Sequence, residues 1–269
     1  MVYNNTSTKT CLSLLFLGLA ERYAWNRVRQ GGLTGHKKSG LLADMKRSEI
    51  NRYINEAKAF FEQHQFRLPP FAYWTSEQWK NKGREADEIR SRRLGWDLTD
   101  FGSEDFLKQG LLLFTIRNGK LNDPQNRKMY AEKIMVVREA QITPWHFHHL
   151  KTEDIINRGA GRLVCELYNS DKSGGYASTP IKVSCDGVVR EVAPDGKVVL
   201  DRGESITLVP GLYHTFYGEK GAGTALIGEV SSVNDDASDN RFYAPLPRFP
   251  AIEEDEAPAH LLCTEYPGG

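Results

Sequence analysis

The sequence predicts a mainly β protein, an antiparallel sandwich or barrel, preceded by a helical segment. From about residue 110 onward, short β-branched or apolar runs follow one another without helical patterns between them. Glycine-containing turns separate the runs, and Asp186-Gly187 and Asp195-Gly196 are two-residue hairpin signals between alternating stretches. Because tight turns join strands that run in opposite directions, the pattern favours antiparallel pairing over a parallel α/β sheet.

The composition is that of an ordinary globular protein. The 269 residues are enough to bury a sizeable core, and the 35 basic residues balance the 35 acidic ones, which excludes the basic surface of a nucleic-acid-binding protein. The scattered cysteines, Cys11, Cys165, Cys185 and Cys263, show no CxxC spacing, so we expect reduced thiols. These features favour a cytoplasmic protein with no nucleic-acid or membrane partner.

Residues 1–44 differ from the rest of the chain. Their apolar run, residues 12–20, is too short to span a bilayer as a helix, which takes about 20 residues. A basic stretch follows, and residues 45–49 (MKRSE) then read like a new N-terminus that opens a helix. We expect residues 1–44 to be a non-native or disordered extension; the alternatives are a secretion signal and an additional helix.

Residues 45–109 are predicted to form a helical segment that packs on the barrel. Apolar residues recur at three- and four-residue spacing after Ser48, which can cap a helix running to about residue 65. Leu68-Pro69-Pro70 ends that pattern. Shorter helices are expected at 77–82, after Thr75 and Ser76, and at 85–93. The segment carries no chemical motif.

Residues 110–244 are predicted to form the barrel. Its expected strands are 111–117, 133–138, 161–168, 181–185, 188–192, 197–200, 205–208, 214–217 and 224–230. A polar loop, residues 231–241, follows the last of them. The final segment, residues 245–269, is rich in proline and contains the acidic run 253–256, so we expect a solvated arm there.

Three histidines and a glutamate form a candidate metal set. In an extended strand His146 and His148 share a face, whereas His149 points away from it. Glu153 comes five residues after His148, and His214 follows a Pro-Gly turn. Imidazole and carboxylate together suit a first-row divalent ion such as Mn, Fe, Co, Ni or Zn. We predict that His146, His148, Glu153 and His214 bind such an ion; the alternative is a surface histidine cluster.

Two charged side chains are candidates for catalysis beside that ion. Lys151 is two residues from Glu153, so in an extended chain it projects to the same side. Glu229 ends the apolar face formed by Ala225 and Ile227, and burial would raise the pKa of its carboxyl towards a catalytic value. A solvated lysine and a solvent-facing glutamate at the strand end are the alternatives.

The two stretches that hold the metal set resemble the two motifs of the cupins. The first motif, HxH-x4-E, corresponds to His146–Glu153, with Gly159 or Gly161 near its trailing glycine. The second motif corresponds to residues 203–214, where the Pro-Gly pair is one residue shorter than the general pattern. The usual leading glycine of the first motif is Ala140 here. The resemblance implies a cupin jelly-roll β-barrel.

A narrower resemblance covers the chain from about residue 45 to its C-terminus. Residues 45–70 (MKRSEINRYINEAKAFFEQHQFRLPP) and 146–159 (HFHHLKTEDIINRG) are similar to the D-lyxose isomerase family of cupin sugar isomerases. This resemblance implies interconversion of D-lyxose with D-xylulose and of D-mannose with D-fructose, using a divalent ion that is typically Mn²⁺. It also singles out Asp239 and Arg241, alongside Glu229, as substrate-binding residues. A homodimer is expected by analogy with other cupins.

The expected reaction passes through a cis-enediol. The ion binds O1 and O2 of the open-chain sugar, Glu229 moves the proton between C1 and C2, and Lys151 stabilises charge or relays a hydroxyl proton. Lys133 is assigned no role, and Asp236 is interpreted as surface charge. The alternatives are a cupin dioxygenase, which uses the same three-His-one-Glu set, and a non-catalytic sugar-binding cupin. A phosphosugar isomerase is disfavoured because no clear basic cluster is present.

Overall fold

The computed structural model describes residues 45–123, 125, 127–236, 238–249 and 251–268, so the predictions for residues 1–44 lie outside the described residues. Helix α1 (Arg47–Gln63) is the first helix of the described chain and buries an apolar face that includes Ile50 and Ile54. The predicted cap is wrong. Lys46 is the N-cap residue without a side-chain cap, and Ser48 instead donates from its N–H and Oγ to Asp255.

Shorter helical segments follow α1. A 3₁₀ helix spans Pro70–Tyr73, and helix α2 (Ser76–Lys80) begins after Thr75, whose hydroxyl accepts from the N–H of Gln78 while the Gln78 side chain accepts from the N–H of Thr75. A second 3₁₀ helix, Arg84–Ala86, leads into helix α3 (Asp87–Ser91). Within the described ranges no helix combines the length and hydrophobicity that crossing a membrane requires.

The strands, in chain order, are β1 Met45–Lys46, β2 Gly95–Thr99, β3 Leu111–Arg117, β4 Tyr130–Val137, β5 His146–His148, β6 Glu153–Ala160, β7 Leu163–Ser170, β8 Tyr176–Ala177, β9 Ile181–Cys185, β10 Val188–Val192, β11 Gly196–Leu200, β12 Ser205–Leu208, β13 Leu212–Gly218, β14 Ala225–Ser232, β15 Asn240–Phe242 and β16 Ile252–Glu253. Most match the predicted strands closely. The predicted polar loop 231–241 is shorter than expected, because β14 runs on to Ser232 and β15 begins at Asn240.

Two antiparallel sheets form a jelly roll. The eight-stranded sheet has the order β10-β9-β12-β6-β14-β4-β3-β2, and the other has the order β11-β7-β13-β5-β15, with β8 paired to β7. A buried cluster that includes Leu113 and Ile227 of the first sheet and Leu167 and Phe216 of the second fills the space between them. The predicted mainly β barrel with an N-terminal helical segment is confirmed.

The two faces of the eight-stranded sheet pack against different hydrophobic cores, because successive side chains along each strand point to opposite faces. Leu113 and Met135 point into the barrel, whereas their neighbours Leu112 and Val136 pack outward against α1. Strand β2 belongs to this sheet although it lies within residues 45–109. The helical segment therefore covers the outer face of the sheet, and the inner face is left for the site.

The C-terminal segment differs from the predicted solvated arm. Strand β16 pairs in parallel with β1, and Glu254 and Glu265 both contact the guanidinium of Arg47, which is 1% exposed. The next residues of the acidic run bond to the first turns of α1, where Glu256 accepts from Asn51. A buried guanidinium needs carboxylate partners, so the acidic run docks on the helix although its four residues stay exposed.

Removing that buried charge is expected to destabilise the fold. Arg47→Ala should lower the free energy of unfolding by about 3 kcal/mol, because a buried, multiply bonded side chain is lost. Arg52→Ala is the control on the same helix: Arg52 forms an exposed pair with Glu56, and its loss should change stability by less than about 1 kcal/mol. Urea denaturation measures both; equal effects would contradict the role assigned to Arg47.

Ala140, which stands where the cupin motif usually has glycine, has a left-handed backbone with φ of 55°. Its N–H donates to Gly218 O at 2.8 Å, and its side chain is exposed. Ala140→Gly should therefore raise the free energy of unfolding by about 1 kcal/mol, since the Cβ strain disappears. The same change at exposed Ala59 inside α1 should lower it by about 1 kcal/mol. A destabilised Ala140→Gly protein in the same urea titration would contradict this interpretation.

Candidate metal centre and active site

Strands β5 and β13 bring the three predicted histidines together inside the barrel. His146 lies directly opposite His214 in the antiparallel register, and His148 is on the same face of β5 as His146. One ring nitrogen from each of His146, His148 and His214 lies within 4.8 Å of the others. His149 is exposed, as its predicted orientation requires.

The ring nitrogens are prepared to bind a cation. Nδ1 of His146 lies 2.8 Å from Pro144 O, and Nδ1 of His214 lies 3.0 Å from Leu212 O. Because a carbonyl oxygen only accepts, both Nδ1 atoms donate, which leaves each Nε2 as a lone-pair donor. Nε2 of His214 and both ring nitrogens of His148 are buried without a hydrogen-bond partner. A buried polar atom left unsatisfied costs about 1–3 kcal/mol, so the site fits a metal ion.

The pKa shifts of His146 and His148 agree with a metal site. Burial, together with the imidazoles of His214 and His148, holds the pKa of His146 well below its ordinary value. Burial also lowers the pKa of His148. Neutral imidazole is the form that binds a metal.

Glu153, at the start of β6, lies against the histidines. Its Oε1 is 3.3 Å from Nε2 of His148 and 3.2 Å from Nε2 of His214. Its Oε2 is 2.6 Å from Nζ of Lys151. Burial raises the pKa of Glu153, but Lys151 and His148 outweigh that effect and hold it well below its ordinary value. The ionised carboxylate could therefore complete a three-His-one-Glu set.

Two buried lysines and Glu229 lie next to this set. Nζ of Lys151 is 2.9 Å and Nζ of Lys133 is 3.1 Å from the same oxygen, Oε1 of Glu229. Each of these three residues is only 3–5% exposed, so the contacts between their charged groups are shielded from water. Lys133 reaches Glu229 because the two residues face each other in the register of β4 and β14.

The prediction that burial raises the pKa of Glu229 above its ordinary value is wrong. Burial does raise it, but the ammonium groups of Lys133 and Lys151 outweigh burial and lower the pKa below its ordinary value. The same contacts act on Lys151, where burial alone would lower the pKa but the carboxylates of Glu153 and Glu229 raise it. At neutral pH the carboxylate of Glu229 is ionised and Lys151 is charged.

These groups line a cavity of ≈ 50 Å³ between the sheets. Its polar lining is His146, His148, Lys133, Lys151, Glu153, Glu229, Asp236, Asn240, Arg248 and Thr143; its apolar lining includes Phe101, Met135, Phe216 and Phe242. Such a lining offers donors and acceptors to hydroxyl groups and aromatic rings to carbon.

Asp239 and Arg241, which the resemblance singles out, are placed differently from the cavity residues. The carboxylate of Asp239 accepts from the N–H groups of Leu150 and Lys151 at 2.7 and 3.0 Å, so it fixes the main chain at Lys151. Arg241 is exposed, and its guanidinium lies 3.5 Å from Gly174 O. Substrate contacts for these two residues stay predictions.

Sequence reasoning missed several polar residues of the site. Lys133 alternates with the outward-facing Ile134 and Val136, so a charged residue on the inward face was the available signal. Asp236, interpreted as surface charge, lines the cavity, and Arg248 lines it too while pairing with Asp97 at 2.6 Å. Both follow β14 in irregular stretches, where no periodicity could assign a face.

Comparison with known proteins identifies the family to which the sequence is similar. Residues 45–266 match the sequence profile of the family described as D-lyxose isomerase. The chain is 49% identical over 223 residues to a D-lyxose/D-mannose isomerase of Serratia proteamaculans, covering 82% of this chain and 98% of that protein. A D-lyxose/D-mannose isomerase of Escherichia coli O157:H7 matches with the same identity and coverage.

Solved structures support the fold. The crystal structure of L-ribose isomerase from Acinetobacter sp. DL28 in complex with L-ribose superposes with a TM-score of 0.53 at 15% identity, covering 78% of this chain and 98% of that one. The ligand-free L-ribose isomerase of Cellulomonas parahominis gives a TM-score of 0.51 at 15% identity, with 78% and 99% coverage. The predicted sugar isomerase is confirmed, and the dioxygenase and non-catalytic alternatives are not favoured. The chain belongs to the D-lyxose isomerase family.

Proposed function

We propose that the protein is a metal-dependent aldose–ketose isomerase that converts free D-lyxose to D-xylulose and D-mannose to D-fructose. The observation that carries this proposal is the convergence of three imidazoles, two of which have unpartnered ring nitrogens, next to the Lys133–Glu229–Lys151 group. The names of the two isomerases at 49% identity support the choice of sugars.

His146, His148, Glu153 and His214 would hold the ion, and we propose Mn²⁺ by resemblance to the family. The same donors accept Zn, Co, Fe or Ni. When bound, a divalent ion supplies polarisation of the carbonyl and hydroxyl oxygens of the open-chain sugar.

Glu229 is the proposed base. Its carboxylate is ionised at neutral pH, so it is able to accept the proton from C2 and return it to C1, while Lys151 relays the hydroxyl proton from O2 to O1. Both lysines contact Oε1, so we assign the transferred proton to Oε2. The lysine ammonium groups lower the basicity of this carboxylate, but they also place two charged donors where an enediolate would develop negative charge.

Lys151 and Lys133 are the proposed charge-stabilising donors. Both are buried and already oriented, so little reorganisation accompanies the reaction. Asn240 and Asp236 line the same cavity and offer polar groups to the hydroxyls of the sugar. By resemblance to the family, we propose that Asp239 and Arg241 also bind the sugar.

We also propose that the protein acts in the cytoplasm as a homodimer. Three of the cysteines, Cys165, Cys185 and Cys263, are buried free thiols, which suits a reducing compartment. The dimer is proposed by analogy with cupins. Light scattering on the purified full chain measures its mass.

An aldose panel tests the proposed reaction. The full chain, stripped with EDTA and supplied with Mn²⁺, is incubated with D-lyxose, D-mannose, their epimers and their phosphate esters, and the ketose formed is measured. We expect ketose from D-lyxose and D-mannose and none from the phosphate esters. Turnover of phosphorylated sugars alone, or oxygen consumption in place of ketose, would overturn the proposal.

A further inference from the structure

Lys133 and Lys151 hold their ammonium groups against the same two oxygens. Both contact Oε1 of Glu229, and both donate to Oδ1 of Asn234, at 2.8 Å from Lys133 and 3.3 Å from Lys151. The four side chains form a closed ring in which donors and acceptors alternate. Two like charges this close repel each other, so the position of each ammonium group depends on both oxygens.

The amide of Asn234 has only one orientation that satisfies this ring. Lysines only donate, so the amide oxygen must face them, and the amide nitrogen then donates to Asp236. A neutral oxygen orients the lysines without adding charge. The carboxylate partners of the lysines are Glu229, which contacts both, and Glu153, which contacts Lys151.

The main chain of Asn234 is fixed in turn by Asn118. Nδ2 of Asn118 donates to Asn234 O at 2.9 Å, and Oδ1 of Asn118 accepts from the N–H of Asn234 at 3.0 Å. One side-chain amide therefore satisfies both backbone groups of a residue 116 positions away. Asn118 is 5% exposed and directly follows β3, so the end of this strand anchors the loop after β14.

Both asparagines lie outside the catalytic cavity. Asn118 and Asn234 line a separate cavity of ≈ 280 Å³, and Asp236 lines both cavities. Neither amide is among the groups that line the metal site, so each can act on the reaction only through the side chains that it holds.

We propose that Asn234 is a positioning residue for Lys133 and Lys151, and that Asn118 is a positioning residue for Asn234. The inference rests on the proposed isomerase function. Asn118 fixes the loop, Asn234 fixes the ammonium groups, and these groups meet the charge that develops on the sugar. Because these contacts follow one another in series, Asn118 acts on catalysis only through Asn234.

Asn234→Ala, Asn118→Ala and the double variant test this order of action in the full chain with added Mn²⁺. We expect Asn234→Ala to lower kcat on D-mannose about tenfold or more while KM changes less than about threefold, because the lysines act on developing charge. Asn118→Ala should give a smaller loss of kcat. The double variant should be no worse than Asn234→Ala alone, since the two residues act in series. Bound metal, measured by mass spectrometry, should not change.

The control is Asn169→Ala, which removes another backbone-bonding asparagine, one that donates to Pro180 O and not to the site. It should alter the melting temperature alone. Unchanged kcat in Asn234→Ala, an effect confined to KM or metal content, or losses that multiply in the double variant would each overturn the inference. If Asn234→Ala does not fold, Asn118→Ala decides by the same criteria. A wild-type protein without isomerase activity would overturn the proposed function instead, before any variant is compared.

Discussion

Replacing Glu229 by glutamine is expected to lower kcat by about 10²–10⁴-fold, the contribution typical of a positioned acid–base group. The amide keeps the shape of the carboxylate and still offers one oxygen to Lys133 and Lys151, but it is unable to accept the proton from C2. The metal set does not include Glu229, so bound metal should match that of the wild type. Initial rates of ketose formation and metal analysis on the same sample measure both quantities.

Glu166→Gln is the matched control for this variant. Glu166 also pairs with a lysine, Lys197, and accepts from Tyr217, but this group does not line the catalytic cavity. Its kcat should stay within a few-fold of the wild-type value. If Glu229→Gln kept a comparable rate, another group would have to be the base.

Replacing His148 by alanine is expected to remove the metal and, with it, the activity. Both of its ring nitrogens are buried without a hydrogen-bond partner, so the variant loses a ligand that no neighbouring side chain replaces. Removing residues that merely support a ligand typically lowers metal affinity about 10–100-fold, and loss of the ligand itself should exceed that. Dialysis against Mn²⁺ followed by metal analysis gives the affinity.

The adjacent His149→Ala variant is the control for His148→Ala. His149 is exposed and its ring packs against Phe147 rather than turning towards the metal set. It should retain the wild-type metal content and rate. Equal metal loss in both variants would contradict the alternation of side chains on β5 that the site depends on.

Part of the metal set could be predicted because its spacing is local. His146 and His148 are two residues apart on one short strand, so strand geometry alone assigns them a common face. His214 lies on a distant strand, and its place in the set was predicted from its Pro-Gly turn and from the two-motif resemblance. Strands β9, β10 and β12 were likewise predicted to the residue, since two-residue turns and alternation define their ends. Strand β6 was not predicted, because its sequence, EDIINRGA, lacks regular alternation.

The catalytic surroundings could not be predicted because they depend on register between distant strands. Lys133 faces Glu229 only in the observed pairing of β4 with β14, which no local pattern specifies. That pairing also reverses the expected pKa shift: burial of Glu229 was anticipated, whereas the two ammonium groups that outweigh it were not. The Asn118–Asn234 contact joins residues 116 positions apart, so no local sequence pattern predicts it either.

The ion that we propose to be bound by His146, His148, Glu153 and His214 is central to this account, and metal titration of the stripped enzyme tests it most directly. The EDTA-treated full chain is assayed with D-mannose while Mn²⁺ is added in small steps, and D-fructose formation is followed together with bound metal. We predict no measurable activity without metal and a rate that rises in proportion to bound ion until a single site is filled. Undiminished D-fructose formation by protein shown to be free of metal would contradict the account.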